Sequence, residues 1–133
     1  MNLPNFFIIG APKCGTTSVA AWLSKHPNIY MSPLKEPHFF SKDINFGEVQ
    51  VRSWAMYSRL WNGARTQHKA VGEASASYLF SRIAIPTIEK ELPGARYIVM
   101  IRNPVDMAYS LHEQWVRSFY ENVVDFRRAW YLV

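Results

Sequence analysis

Lys13, Thr16 and Thr17 surround Gly15 in the run APKCGTT, which brings one ammonium and two hydroxyls into a loop of small residues. Such a set grips an anion. Gly10 and Gly15 allow backbone angles closed to other residues, so main-chain N–H groups can come close to a ligand. A helix starting at Thr16 would add its positive end. Cys14 stands in the same turn and is the chain's single cysteine, which rules out an internal disulfide. A contact with the bound anion and a nucleophilic thiol are the two chemistries open to it, the first favoured because the loop's amides already explain the position. A second set, Arg102 and Ser110, lies in IRNPVDMAYS. Arg102 offers a planar fork of donors suited to a phosphate, and Ser110 one hydroxyl.

These side chains need elements to hold them. Phe6–Ile9 is a short apolar run of the kind that fills a strand covered on both faces. From Thr16 to His26, Val19, Trp22 and Leu23 recur at helical spacing, so the loop between must turn sharply. Tyr97–Ile101 is a second buried-type strand with Arg102 at its carboxyl end, then Asn103 as N-cap and Pro104 at the first helical position. Ligands of open α/β sheets collect at that edge. The spacing differs from the triphosphate P-loop, in which a lysine follows the second glycine. Here Thr16 holds that place and the lysine sits inside the loop at Lys13. The shift favours an anion of lower charge gripped by protein alone, against a triphosphate held with magnesium. A bland strand-to-helix turn that merely contains lysine and glycine is the competing account.

PKCGTT after an apolar strand resembles the 5′-phosphosulfate loop of sulfotransferases that use 3′-phosphoadenosine 5′-phosphosulfate (PAPS). IRNPVDMAYS resembles that family's 3′-phosphate motif. The resemblance implies that Lys13, Cys14, Gly15, Thr16, Thr17, Arg102 and Ser110 bind the donor, with no metal. Sulfuryl transfer needs a base for the acceptor's proton and positive charge on the departing oxygen. Glu36, in the loop SPLKEPHFF between Pro33 and Pro37, is a candidate base; a solvated pair of Lys35 and Glu36 is the alternative. KEPHFF resembles the segment of heparan-type and related bacterial sulfotransferases that carries the catalytic glutamate. By that resemblance Lys13 stabilises the bridging oxygen, and His38 or Lys35 assists near the acceptor; for His38, beside two phenylalanines, a packing role is the alternative. VGEASASYLF also resembles the family, with Ala76 where proline is common. Glu73 and Ser75 then become acceptor-site or loop-supporting residues, against plain turn hydroxyls bonding local backbone.

At 133 residues, 49% hydrophobic and 15% aromatic, the chain has material for a core. Its charge of +5 suits an anionic donor or an acidic polysaccharide acceptor, and no block of consecutive basic residues marks a nucleic-acid surface. With no apolar leader or spanning run in the sequence, a cytoplasmic setting is the expectation, or the Golgi lumen if an anchor has been removed. Further helices are expected over Glu48–Trp61, Pro86–Leu92 and from Val123 to Val133. Alternating strands and helices predict an α/β, P-loop-like three-layer fold, a central parallel sheet flanked by helices. The resemblance, from Phe6 to Trp115, implies that residues 1–133 form a single sulfotransferase domain lacking its C-terminal part. Sulfuryl transfer from PAPS to a hydroxyl or amine, on a glycan for example, is the expected activity. A non-catalytic adenosine-bisphosphate-binding or interaction module is the alternative. A nucleotide kinase is disfavoured by the displaced lysine and by the lack of an evident magnesium carboxylate.

Overall fold

The computed structural model describes residues 3–132. Its strands are β1 (Phe6–Gly10), β2 (Ile29–Met31), β3 (Ala70–Ala74) and β4 (Arg96–Val99), and its helices α1 (Thr16–Leu23), α2 (Trp54–Arg59), α3 (Ala84–Glu91), α4 (Pro104–Arg117) and α5 (Phe126–Trp130). Among the described residues these strands form one sheet, ordered β2-β3-β1-β4, with every neighbouring pair parallel. Parallel pairing sends every strand's carboxyl end to the same edge, so the loops after β1, β2, β3 and β4 gather there.

The alternation of β1 explains both layers. Phe7 and Ile9 face a core of Phe39, Phe40, Val51, Tyr57, Trp61, Tyr78 and Ile88, whereas Phe6 and Ile8 face Val19, Ala20 and Leu23 of α1. Helices therefore cover the two faces of the sheet, the three-layer arrangement that the strand and helix alternation predicts. Packing on the first face is largely aromatic: the Phe39 and Tyr57 rings stack with centroids 4.2 Å apart. Gly72 lies opposite Phe6 in the β1–β3 register, and a Cβ there would stand 2.1 Å from the Phe6 ring.

Some elements differ from the sequence-based expectation. Glu48–Trp61 is not one helix: a single 3₁₀ turn at Gly47–Val49 is separated from α2 by extended backbone, and the Ser53 side chain accepts from the Met56 N–H as an N-cap. Val51 and Trp54 on either side of Ser53 keep helical spacing across the gap, which hid the break. α3 begins before Pro86, at Ala84, because a proline in the first turn forfeits only an amide that has no partner within the helix. β2 was not expected at all; three residues carry too little pattern. The last helix starts only at Phe126, capped by Asp125; Val133 lies outside the described residues.

A buried carboxyl ties this core to the loop edge. Glu73 on β3 is wholly buried, accepts from the Tyr57 hydroxyl of α2, and accepts from Ser75 Oγ at 2.7 Å. Tyr78 adds a further hydrogen bond. Burial pushes the Glu73 pKa above its ordinary 4.5, opposed by those hydrogen bonds, and also pushes Tyr57 and Tyr78 up. Between 4.5 and the raised value the native state keeps a proton that the unfolded state has released, so stability falls as pH rises through that interval. Denaturant unfolding from pH 4.5 upward should show this fall, at most about 1.4 kcal/mol per pH unit, and Glu73→Gln should flatten it. Gly72→Ala should cost about 1–3 kcal/mol in the same measurement, through overpacking against Phe6.

Candidate functional site

At the carboxyl edge of the sheet, the chain leaves β1 through Gly10 and enters α1 through Gly15, whose φ of 83° puts it in the left-handed region as N-cap. Lys13 shares that conformation at φ 60°. Left-handed backbone in such a turn aims successive N–H groups into one concavity. No side chain caps α1, and a Cβ placed on Gly15 would meet nothing within 4 Å, so the space before these amides is open. The fold holds the loop from beneath: Ala11 N–H donates to Met100 O at 2.8 Å, and Met100 N–H to Gly10 O at 2.9 Å. These bonds extend the β1–β4 ladder past its end and bring Arg102 to the anion loop. Arg102 Nη1 donates to the Lys13 carbonyl at 3.2 Å.

The loop after β2 reaches the same place along β3. Ser32 N–H donates to Gly72 O at 2.9 Å and Glu36 N–H to Ala74 O at 3.0 Å, so this segment runs as a partial further rung of the sheet. Glu36 and His38 then take φ values of 52° and 53°. Non-glycine residues in that region are strained, and surrounding bonds must hold them there. They do: His38 N–H donates to Ser75 Oγ at 3.2 Å, Phe40 N–H to the Tyr78 hydroxyl at 3.2 Å, and Val51 N–H to Pro37 O at 2.9 Å. Glu36 keeps a third of its side chain exposed, with His38 Nε2 3.5 Å from one carboxylate oxygen and Lys35 Nζ 3.8 Å from the other. Lys35 Nζ also donates to Thr17 Oγ1 at 2.6 Å, which links the Glu36 loop to the anion loop. His38 stacks on Phe46 with centroids 3.8 Å apart, and its burial pulls its pKa below 6.5 despite the Glu36 charge that pulls it up.

One cleft of about 740 Å³ joins these parts, and Lys13, Gly15, Thr16, Thr17, Glu36, His38, Arg102 and Ser110 line its wall. The Cys14 thiol turns back to its own loop, donating to Pro12 O at 3.4 Å. Glu73 and Ser75 are buried beneath the site, so of the two roles expected for them the loop-supporting one fits and the acceptor-contacting one does not. Phe46, Ser77, Gln114 and Trp115 also line the cleft, though the motifs did not single them out. Gln114 had a signal: it follows Ser110 by one helical turn on α4. A second, largely apolar groove of about 500 Å³ between α4 and α5 carries Arg127 as its one charged wall residue, and is poorly equipped for proton or anion chemistry. No helix among the described residues is long and apolar enough to cross a membrane.

The chain matches the sulfotransferase domain family over residues 3–129. It is similar to human carbohydrate sulfotransferase 15, 32% identical over 81% of this chain and 26% of that protein. The membrane-associated sulfotransferase kil1 of Dictyostelium discoideum is 32% identical over 86% of this chain and 24% of the relative. Human heparan sulfate glucosamine 3-O-sulfotransferase 6 is 32% identical over 85% of this chain and 31% of the relative. Among solved structures, a sulfotransferase from Alicyclobacillus acidocaldarius superposes with a TM-score of 0.88 at 40% identity, covering 96% of this chain and 56% of the other. The chain thus spans about a quarter to a third of the relatives' length and just over half of the solved neighbour's. On its match over residues 3–129 and on this shared fold, the chain belongs to the sulfotransferase domain family.

Proposed function

We propose that this chain carries the donor-binding and proton-accepting parts of an enzyme that moves a sulfuryl group from PAPS to a hydroxyl or amine of a carbohydrate. The single observation that supports it most is that one cleft contains the Lys13 loop, Arg102, Ser110 and the exposed carboxylate of Glu36. PAPS fits the residues present: the open amides before Gly15 suit its 5′ end, and Arg102 with Ser110 suits its 3′-phosphate. When bound, PAPS supplies an activated sulfuryl group and departs as adenosine 3′,5′-bisphosphate.

The chain's own groups then have distinct tasks. Glu36 takes the acceptor's proton as its oxygen or nitrogen bonds to sulfur. The Lys13 ammonium and the α1 amides offset the negative charge that builds on the departing oxygen. His38 faces a Glu36 carboxylate oxygen across 3.5 Å, and burial lowers its pKa, which disfavours a second positive charge beside Lys13. Thr16 and Thr17 supply hydroxyl donors beside the same anion. A carbohydrate acceptor is favoured by the names of the relatives, which act on carbohydrate or on heparan sulfate, and by the net charge of +5, which suits an acidic polymer.

Titration calorimetry with adenosine 3′,5′-bisphosphate should show binding that ATP with magnesium does not match. Lys13→Ala and Arg102→Ala should each weaken it by about 10- to 100-fold, the loss of a hydrogen bond to a charged group. Glu36→Gln should leave that binding intact and lower sulfate transfer to a glycan panel by about 10²- to 10⁴-fold. Binding without transfer in the unaltered chain would favour a donor-binding module over an enzyme.

A further inference from the structure

We propose that the Ser77 hydroxyl, backed by Ser41, fixes the His38 ring in the tautomer that presents Nε2–H to Glu36, which makes Ser77 a positioning residue for that carboxylate. The inference rests on Glu36 being the proton acceptor, and it assigns the residue that aims it.

His38 Nδ1 lies 2.8 Å from Ser77 Oγ, and Ser77 Oγ lies 3.1 Å from Ser41 Oγ. All three side chains are buried, with Ser41 at 0%, Ser77 at 3% and His38 at 6% exposure, so water cannot readily substitute for a lost partner. The chain of hydroxyls has two self-consistent directions. In one, Ser41 donates to Ser77, Ser77 donates to Nδ1, and the ring proton sits on Nε2. In the other, Nδ1–H donates to Ser77, Ser77 to Ser41, and Ser41 to the His38 carbonyl 3.2 Å away.

Two surrounding groups choose between them. Gln50 Nε2 donates to the His38 carbonyl at 3.0 Å, closer than the Ser41 hydroxyl stands, so that carbonyl keeps a donor when Ser41 turns to Ser77. On the other side of the ring, Nε2 faces a Glu36 oxygen at 3.5 Å. A bare nitrogen lone pair against a carboxylate repels, whereas an N–H donates to it. The Glu36 end therefore favours the first direction, and the carbonyl end permits it. Phe46 stacked at 3.8 Å and 8° blocks the ring from swinging away, and the His38 N–H held by Ser75 Oγ fixes the backbone. The charged groups bearing on the ring are Glu36 directly and Lys35 behind it, with Glu73 one hydrogen bond removed through Ser75.

The consequence for the site is directional. With one Glu36 oxygen held by Nε2–H, the carboxylate is oriented so that its other oxygen, which among the described residues has only Lys35 Nζ near it at 3.8 Å, is the one offered to an acceptor.

Ring-nitrogen shifts of ¹⁵N-histidine-labelled full chain at neutral pH, assigned to His38 by a His38→Gln sample, read the tautomer without donor or turnover. The expected result is a protonated-type Nε2 and an unprotonated-type Nδ1. Ser77→Ala should mix the two tautomers and lower kcat about tenfold at unchanged KM for PAPS, the size of one lost hydrogen bond, and Ser77→Thr should restore both. A wild-type Nδ1–H tautomer overturns the proposal, as does a His38 pattern unmoved by Ser77→Ala; if that variant does not fold, Ser77→Cys, close in size and a much weaker donor, gives the same readout. The tautomer result stands whether or not Glu36→Gln impairs transfer, so a failure of the base assignment is seen separately.

Discussion

The Glu73 carboxyl is the joint on which the rest of the molecule turns. It is buried in the sheet, yet it takes a hydroxyl from α2 and another from Ser75, and Ser75 in turn receives the His38 backbone N–H. A neutral or charged carboxyl left unpartnered at that depth would be costly, so each of these groups is needed by the others. The network converts core packing into loop geometry. Its outermost member is the segment that carries Glu36 and His38 in left-handed backbone, a conformation that a free loop would relax.

Around that joint, the sheet does the gathering. β1 sits between β3 and β4, and hydrogen bonds beyond its last rung pin both neighbouring loops to it. The anion loop, the turn after β3 and the Arg102 segment thereby share one floor, while the loop after β2 climbs along β3 to join them. Residues far apart in the chain, from Lys13 to Trp115, come to line a single wall for this reason.

Much of this was legible in the sequence, for reasons that can be named. The apolar run Phe6–Ile9 followed by glycine, lysine and threonine announces strand, turn and helix because each residue type has few alternatives there. Asn103–Pro104 after Tyr97–Ile101 marks a helix start equally plainly, and Asn103 does accept from the Val105 N–H. What stayed hidden depends on tertiary partners. Nothing local shows that Glu73 is buried, since an isolated Val-Gly-Glu reads as a strand leading into solvent. Positive φ at Glu36 and His38 is held by bonds to β3 and to the turn after it, and at Lys13 by the sharp turn whose carbonyl Arg102 meets. Phe46 and Ser77 meet His38 only after the chain has folded, and no spacing rule connects them. Ser53 concealed the break before α2 because its capping role depends on the extended backbone at that residue.

The hydrogen bond from Arg102 to the Lys13 carbonyl ties the arginine at the end of β4 to the anion loop after β1. Backbone bonds between β1 and β4 set how far apart the two segments start, and the guanidinium spans what remains. Under the function proposed above, a donor whose negative groups were spaced differently would have to bend to reach both, so selection among donors would reside in the scaffold. On that same proposal, the loop that carries Glu36 and His38 can change its outward side chains without retuning that measure.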